Sequence, residues 1–176
     1  MFYIRIKDQW VEHNPSYLEN ENESARLEQT LIPNQAKQNT RNKRPQLKKT
    51  APTISAESIM SKDIIFANHD SLLMDCHSLM KKKNIHHLII KRNQKFAGII
   101  SDRDILLVQK LKGASHLIAD NILTTVIMGA HESTFLGRIC MVLAREEISS
   151  LPVLDDDLEV CGILTLRDIL HSFSKL

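Results

Sequence analysis

The chain has 176 residues, of which 43% are hydrophobic and 25% are charged, close to the proportions of an average globular protein. This length suits one ordinary domain, or two small repeats that share a core, and it excludes a large multidomain enzyme. The formal net charge of +2 does not favour a nucleic-acid-binding protein, for which we would expect a concentrated basic face.

The first residues alternate between apolar and polar side chains. Phe2, Ile4 and Ile6 are separated by polar or amphipathic neighbours, which is the period of a strand with one buried face. We therefore expect a short N-terminal strand that docks on the main body or on a partner.

A polar stretch follows from residue 11 to residue 54, rich in Asn, Gln, Glu, Lys and Pro. Such a composition buries too little apolar surface to offset the entropy of ordering, so we expect a flexible linker that completes an N-terminal extension of residues 1–55. Only a weak helix is expected, near Leu18 and over Ala25–Ile32. The basic cluster Lys37–Lys49 is interpreted as a solvated tail.

The remainder of the chain repeats itself with a period of about 64 residues. This similarity divides it into a first repeat, residues 56–115, and a second repeat, residues 116–176. The matched segments are Ala56–Ser61 with Ala119–Thr124, Ile64–Ala67 with Ile127–Ala130, Ile85–Ile90 with Ile148–Val153, and Gly98–Asp104 with Gly162–Asp168.

Each repeat predicts a strand, a helix, a hairpin of two strands and a second helix. Helical spacing of apolar residues places the first helix after a cap at Asp70 or Ser71, and its counterpart after Ser133. The second helices are expected over Asp102–Leu111 and Leu166–Phe173. One such unit makes a poor core, so the sequence predicts an α/β (α+β) fold of two β-α-β-β-α repeats packed together.

These features resemble the tandem cystathionine-β-synthase (CBS) domain pair, also called the Bateman module. The resemblance covers the chain from Ala56 onward. It rests on an Ile-Met-Ser or Ile-Leu-Thr opening, a helix, an Ile-x-x-Leu strand with its hairpin, and a glycine corner with Ser or Thr and then Asp. It implies a pseudo-two-fold pair that binds AMP, ADP, ATP or an S-adenosylmethionine-like ligand between the repeats. It also implies a homodimer that forms a flat disc and regulates a partner, which the sequence does not identify.

The two glycine corners carry the candidate ligand-binding side chains. A carboxylate accepts hydrogen bonds from both hydroxyls of a ribose, and a hydroxyl three residues earlier lies within reach of ribose or phosphate. Each corner also opens a helix, whose free N–H groups favour an anion. The candidates are Ser101, Arg103 and Asp104 at the first corner and Thr165, Arg167 and Asp168 at the second, with His86 as a further source of positive charge.

The resemblance also implies where an adenine ring would lie, against apolar residues of the first strand of each repeat. These are Ile64, Ile65 and Phe66 in one pocket and Val126, Ile127 and Met128 in the other. The remaining candidates are His87 in the first repeat and Ser150 and Pro152 in the second.

A purely structural interpretation competes with this one. Ser-x-x-Asp and Thr-x-x-Asp are capping-box patterns, and for one corner alone the cap is favoured. The duplication, with the family resemblance, favours a nucleotide site in at least one pocket. Asp102 in the first repeat stands where the second has Leu166, and the extra negative charge predicts that a triphosphate prefers the second pocket.

We expect neither a metal site nor an enzyme. Adjacent histidines on a strand point to opposite faces, so His86 and His87 are unsuited to one ion, and no nucleophile, base and activated water converge in the pattern. No obligatory cofactor is expected. The alternative function is a ligand-free dimerisation or scaffold module, whose basic segment Lys37–Lys49 contacts a partner or nucleic acid.

The three cysteines are odd in number, far apart and set among apolar neighbours. This pattern is typical of reduced core thiols and predicts a cytoplasmic protein. No apolar run reaches the length of a membrane-spanning helix and the first residues do not resemble a signal peptide, so we expect a soluble, unprocessed chain.

Overall fold

The computed structural model describes residues 1–6, 8–18 and 54–174 of the chain. None of the helices in these ranges is long and apolar enough to span a bilayer. The strands are β1 (Phe2–Ile6), β2 (Gln9–Glu12), β3 (Phe66–Asn68), β4 (His87–Arg92), β5 (Lys95–Ser101), β6 (Ile127–His131), β7 (Ser150–Leu154) and β8 (Val160–Thr165). The α-helices are α1 (Ala56–Ile59), α2 (Leu73–Lys83), α3 (Asp102–Val108), α4 (Leu136–Arg145) and α5 (Leu166–Ser174). Short 3-10 turns cover Ser16–Leu18, Ala114–His116 and Ala119–Asn121.

The two halves have the same order of elements, β3-α2-β4-β5-α3 and β6-α4-β7-β8-α5. In each half the first strand pairs in parallel with the second, which pairs antiparallel with the third. Ala67 lies opposite Ile90 in one sheet and Ala130 opposite Val153 in the other, so Ala67 and Ala130 are equivalent. The predicted fold of two β-α-β-β-α repeats is confirmed.

Side-chain alternation along β4 gives its sheet two buried faces. Leu88 and Ile90 pack with residues of α2 and α3, whereas Ile89, between them, packs with Ile99 and with Ile127 of the other repeat. Neighbouring residues of a strand point to opposite faces, so every second residue faces the helices and the others face the partner repeat. Helices therefore cover the outer face of the sheet, and the two repeats share an inner core.

Each repeat is crossed by the segment that opens the other one. Ala56 and Met60, at the start of repeat 1, are buried in the core of repeat 2, and Ala119, at the start of repeat 2, is buried in the core of repeat 1. The amide of Ser61 donates to the carbonyl of Ile163 at 2.9 Å. This exchange brings the Ile-Met-Ser opening against the second glycine corner.

The glycines of the two corners make room for these crossing segments. A Cβ on Gly98 would clash with the carbonyl oxygen of Thr124 and stand 2.6 Å from Cδ1 of Leu123. A Cβ on Gly162 would clash with the side chain of Met60. Both glycines therefore permit close packing between repeats.

The N-terminal residues form a hairpin, β1 and β2, that extends the second sheet to the order β2-β1-β6-β7-β8. The strand predicted at Phe2–Ile6 is present. The prediction that a polar linker begins at residue 11 is wrong for residues 11–18, because this segment completes β2 and ends in Leu18, which is buried beside α4. The weak helix predicted over Ala25–Ile32 and the basic cluster Lys37–Lys49 lie outside the described residues.

The predicted helix caps differ from those observed. The N-caps of α2 and α4 are Leu72 and Phe135, and neither side chain makes a capping hydrogen bond. Asp70 or Ser71 and Ser133 were expected there, but both helices begin later in the sequence, and the hydroxyl of Ser133 bonds the ring of His131 instead. Both capping predictions are therefore wrong.

Candidate functional site

A cavity of about 750 Å³ lies in the cleft between the two repeats. Repeat 1 contributes the segment Ser61–Ile65, the segment Asn84–His87, the corner Ser101–Arg103 and the side chains of Ile89 and Leu106. Repeat 2 contributes the corner Thr165–Asp168 with Ser149 and Ile163. This volume is in the range of natural small-molecule pockets, ~300–1,000 Å³. The cleft is therefore the candidate site, and residues from both repeats form its walls.

The second glycine corner presents a carboxylate at the edge of this cavity. Oδ2 of Asp168 accepts from the amide of Thr165 at 2.8 Å and from its hydroxyl at 2.6 Å. Oδ1 of the same carboxylate accepts from the hydroxyl of Ser61 at 3.1 Å. Oδ2 thus caps α5, and Oδ1 faces Ser61 in the segment that opens repeat 1.

The first glycine corner is built the same way but is oriented differently. Ser101 and Asp104 form a reciprocal capping box, in which Oδ2 of Asp104 accepts from the Ser101 amide at 2.8 Å and from its hydroxyl at 2.6 Å. The cavity is lined by Ser101, Asp102 and Arg103, and Asp104 is not part of that lining. The capping interpretation is therefore observed at this corner, while the acid of the second corner both caps its helix and faces the cavity.

Two histidines at the start of β4 connect the cavity walls. Nδ1 of His86 lies 2.7 Å from Oδ2 of Asp102, and Nε2 of His87 lies 3.1 Å from the hydroxyl of Ser149 in the other repeat. Partial burial raises the pKa of Asp102, but the hydrogen bond and positive charge of His86 outweigh this, and the net pKa lies below its ordinary value. Asp102 is therefore held as an anion.

His87 has the opposite environment. Burial lowers the pKa of its imidazole, and the nearby charges of His86 and Arg103 act in the same direction, against those of Asp102 and Asp104. The ring is therefore held neutral in the folded chain, where it can share one hydrogen bond with Ser149.

This burial predicts a pH dependence of stability. The unfolded chain binds a proton on His87 near pH 6.5, before the folded chain does, so its contribution to stability is fully present above pH 6.5 and is lost as the pH falls through the lower folded-state pKa. Urea unfolding at pH about 8 and at pH about 5 measures the free energy of unfolding, which should fall less on acidification for His87→Asn than for the intact chain. The exposed His116→Asn is the control and should follow the intact chain. Equal losses for His87→Asn and the intact chain would contradict the assignment.

The charged side chains of the cavity are mixed in sign. Lys62, Arg103 and Arg167 line it, together with Asp63, Asp102 and Asp168. Leu166 lines the same cavity as Asp102, so the predicted preference of a triphosphate for a second pocket does not follow. Within the part of the chain that the structure describes, no group of three or more His, Cys, Asp or Glu side chains is arranged to hold a metal ion.

The structure brings together nine of the candidate side chains from the sequence and separates the rest. Phe66 is exposed at the edge of β3, where the ammonium of Lys91 lies 3.6 Å from its ring centre. Ile127 is buried in the core between the repeats. Those in the cavity are Ile64, Ile65, His86, His87, Ser101, Arg103, Thr165, Arg167 and Asp168. Those outside its lining are Phe66, Asp104, Val126, Ile127, Met128, Ser150 and Pro152.

Sequence reasoning missed part of the site, the segment of residues 61–63 at which repeat 1 crosses onto repeat 2. Ser61, Lys62 and Asp63 line the cavity, although the repeat pattern singled out only the opening that ends at Ser61. The signal was the recurrence of a hydroxyl residue at Ser61 and Thr124, just before the first strand of each repeat. Recurrence of this kind marks a position that both repeats use, here for the contact with the opposite corner.

The fold and the cavity define a class of protein: a tandem-repeat module with a small-molecule cleft between its repeats. The CBS domain model matches residues 56–110 and 119–175, and this chain belongs to the CBS domain family with two such domains. The chain is 32% identical over 126 residues to L-aspartate semialdehyde sulfurtransferase of Methanocaldococcus jannaschii, a match that covers 70% of this chain and 24% of that enzyme. It is 30% identical over 107 residues to inosine-5′-monophosphate dehydrogenase of Bacillus subtilis, which covers 59% of this chain and 21% of the enzyme. The chain thus spans a quarter or less of the length of these relatives.

Solved structures share this architecture. The CBS domain pair of protein MJ0100, in complex with 5′-methylthioadenosine and S-adenosyl-L-methionine, superposes with a TM-score of 0.64 at 30% identity, covering 70% of this chain and 98% of that one. Protein MJ1225 of Methanocaldococcus jannaschii superposes with a TM-score of 0.61 at 21% identity, over 68% of this chain and 47% of that one. The second likeness supports the fold alone.

Proposed function

We propose that this chain is a regulatory module that binds an adenine nucleotide or a related adenosyl ligand between its CBS domains, and that it is not itself an enzyme. One observation carries the proposal: a single cavity of about 750 Å³ combines a carboxylate for ribose, an apolar wall for a purine and cationic side chains for an anion. Asp168, Ile64 and Ile65 supply the first two, and Lys62, Arg103 and Arg167 supply the third.

The ribose and the base have separate places in this assignment. Oδ2 of Asp168 is already satisfied by its own corner, so Oδ1 is the oxygen that accepts from a ribose hydroxyl, beside the hydroxyl of Ser61. The half-buried side chains of Ile64, Ile65 and Ile163 offer the apolar surface for the adenine ring. A base and a ribose therefore bind across the boundary between the two repeats.

The anionic or zwitterionic end of the ligand faces the charged part of the cavity. Lys62, Arg103 and Arg167 favour phosphate, while Asp63 and Asp102 limit how much negative charge is accepted. AMP, ADP, ATP and S-adenosylmethionine-like ligands are all candidates. The complex of the MJ0100 domain pair with two adenosyl compounds supports the shared adenosyl part.

The arrangement of the histidines supports a binding role over a catalytic one. A Ser-His-Asp relay needs one imidazole between hydroxyl and carboxylate. Here Ser149 contacts His87 while Asp102 contacts His86, so the three groups are divided between two rings. In the two enzymes named above, the region matched by this chain is less than a quarter of the length, which also supports a regulatory module.

Regulation follows if the ligand binds one arrangement of the repeats more tightly than another. Ile64 and His86 belong to repeat 1, and Thr165 and Asp168 belong to repeat 2, so a bound ligand contacts both. A ligand shifts a conformational equilibrium only by its difference in affinity for the two states. Contacts to both repeats provide such a difference, because they are lost when the cleft widens.

A thermal-shift panel tests the proposed function. AMP, ADP, ATP, S-adenosylmethionine and 5′-methylthioadenosine are each added to the intact chain, with guanosine monophosphate as a control. A ligand present at 100 times its Kd should stabilise the folded chain by about 2.7 kcal/mol. The midpoint of thermal unfolding should then rise with the logarithm of the ligand concentration. The absence of a shift with every adenosyl compound would reject the proposal and favour the scaffold alternative.

A homodimer is the second part of the proposal, and two equivalent helices support it. Leu107 of α3 and Leu170 of α5 are exposed by 71% and 70%, and Leu106 of α3, which also lines the cavity, is exposed by 48%. Exposed leucines on equivalent helices of a repeat pair favour a protein interface. Light scattering after size exclusion should report a dimer for the intact chain and a monomer for Leu107→Glu/Leu170→Glu. The exposed Val11→Glu is the control and should stay dimeric, and an unchanged mass for the double variant would contradict this interface.

The cysteines support the proposed cytoplasmic location. Cys76, Cys140 and Cys161 are all free in the structure, and burial raises the pKa of each thiol. Unpaired, unreactive thiols are typical of proteins in a reducing compartment.

A further inference from the structure

The N-terminal hairpin, β1 with β2, forms a strap along the outer edge of repeat 2. Its first strand pairs antiparallel with β6, and the register places Ile4 opposite Met128 and Arg5 opposite Ile127. Phe2 is fully buried in the core of repeat 2 and anchors the strap there. The strap is thus an integral part of the second sheet.

The strap makes the first strands of the two repeats unequal. Ala67 is equivalent to Ala130, so Ile64 and Ile65 are equivalent to Ile127 and Met128. In repeat 1 the residues Ile64 and Ile65 lead into an edge strand and line the cavity. In repeat 2 the same two positions carry the strap on their outer edge, so the strand edge that is free beside the cavity in repeat 1 is already hydrogen-bonded in repeat 2.

The strap also crosses to the other repeat. The guanidinium of Arg5 is 6% exposed and donates to the carbonyl of Ala97 at 2.9 Å and to that of Phe96 at 2.6 Å. Trp10 stacks on the ring of Phe96 with 5.5 Å between ring centroids. A buried arginine whose donors reach two carbonyls of repeat 1 fixes that repeat against the edge of repeat 2.

The space under the strap is matched to Trp10. A Cβ on Gly129 would stand 3.1 Å from the indole ring, so the absence of a side chain at this position of β6 lets the ring approach. The equivalent position in repeat 1 is Phe66, which is exposed. The two repeats therefore diverge in sequence at the position where one accepts the strap and the other does not.

We propose that the strap covers the edge of β6 where the counterpart of the cavity would form, so that one chain binds one adenosyl ligand, and that its release opens this second, latent site around Ile127 and Met128. This inference rests on the proposed function, because the latent site is the counterpart of the one assigned there. The strap would then control how many ligands one chain binds, and any partner that displaced the strap would change that number.

Calorimetric titration of the full chain with 5′-methylthioadenosine and with AMP measures the number of sites. Arg5→Ala/Trp10→Ala removes the contacts to repeat 1 that hold the end of β1 beside Ile127, while Phe2 keeps the start of β1 in the core of repeat 2. Gln9→Ala/Val11→Ala is the matched control, because both side chains are exposed on the same hairpin. We expect one equivalent for the intact chain and the control and two for the released variant. Two equivalents for the intact chain, or one for the released variant, would overturn the inference.

Hydrogen exchange without ligand tests the strap itself. The amide of Ile127 should exchange at least tenfold faster in the released variant than in the intact chain, while that of Leu151, in the interior of the second sheet, keeps its rate. Equal rates for Ile127 in the two proteins would also overturn the inference. Binding of neither compound to either protein would instead reject the proposed function and this inference with it, whereas one equivalent for both proteins rejects the strap alone.

Discussion

Asp168→Ala is expected to weaken binding of an adenosyl ligand by about 100-fold, equivalent to about 2.7 kcal/mol. The carboxylate accepts the ribose hydroxyls through Oδ1, and hydrogen bonds to a charged acceptor contribute about 1.5–3 kcal/mol each. Isothermal calorimetry with the tightest compound of the thermal-shift panel measures the change.

The equivalent acid of repeat 1 is a matched control for this experiment. Asp104 caps α3 with the same two distances, 2.8 and 2.6 Å, that Asp168 shows at α5, but it does not line the cavity. Each alanine variant should lose about 1 kcal/mol of stability from its cap, and only Asp168→Ala should lose affinity. Equal affinities would show that both acids are caps and nothing more.

Asp168→Asn separates charge from capping further. The amide oxygen still accepts from the Thr165 amide, so the unfolding midpoint should change little, while the loss of charge should weaken binding by about 10-fold. A variant with unchanged affinity but a lowered midpoint would contradict the ribose assignment.

The sequence predicted the repeats and both corners because these are local patterns that occur twice. Ser101 with Asp104 and Thr165 with Asp168 are three residues apart, and a capping box needs only that spacing. Duplication then identified the fold, since two matched sets of elements must pack to form one core. The predicted list therefore included most of the corner residues that the cavity contains.

Contacts between distant parts of the chain were not predictable in the same way. Ser61 and Asp168 are 107 residues apart, and they meet only because the segment that opens repeat 1 crosses onto repeat 2. Arg5 gave no sign of burial, because a charged residue in an alternating strand is normally assigned to the solvent face. The polar composition after Glu12 likewise concealed Leu18, a single apolar residue that reaches the core.

Gly98→Ala is the substitution with the largest expected effect on stability, a loss of about 3 kcal/mol in the free energy of unfolding. The new methyl group would clash with the carbonyl oxygen of Thr124 and stand 2.6 Å from Cδ1 of Leu123. The carbonyl belongs to a backbone that is itself paired with Ile99, so it can withdraw only if the crossing segment separates from repeat 1. Urea unfolding with an unchanged m-value would measure this loss as a shift in midpoint.

Gly162→Ala is the matched substitution in the other repeat, and its different neighbour predicts a smaller loss of about 1 kcal/mol. Here the methyl group meets the side chain of Met60, a flexible group that can change rotamer. Met60→Ala should therefore relieve the packing strain of Gly162→Ala, whereas Leu123→Ala should not rescue Gly98→Ala, because the Thr124 carbonyl remains. Equal losses for the two glycine variants would show that the backbone contact does not decide the cost. A larger loss of stability for Gly98→Ala would show that the two repeats are joined most rigidly where the opening segment of repeat 2 crosses repeat 1.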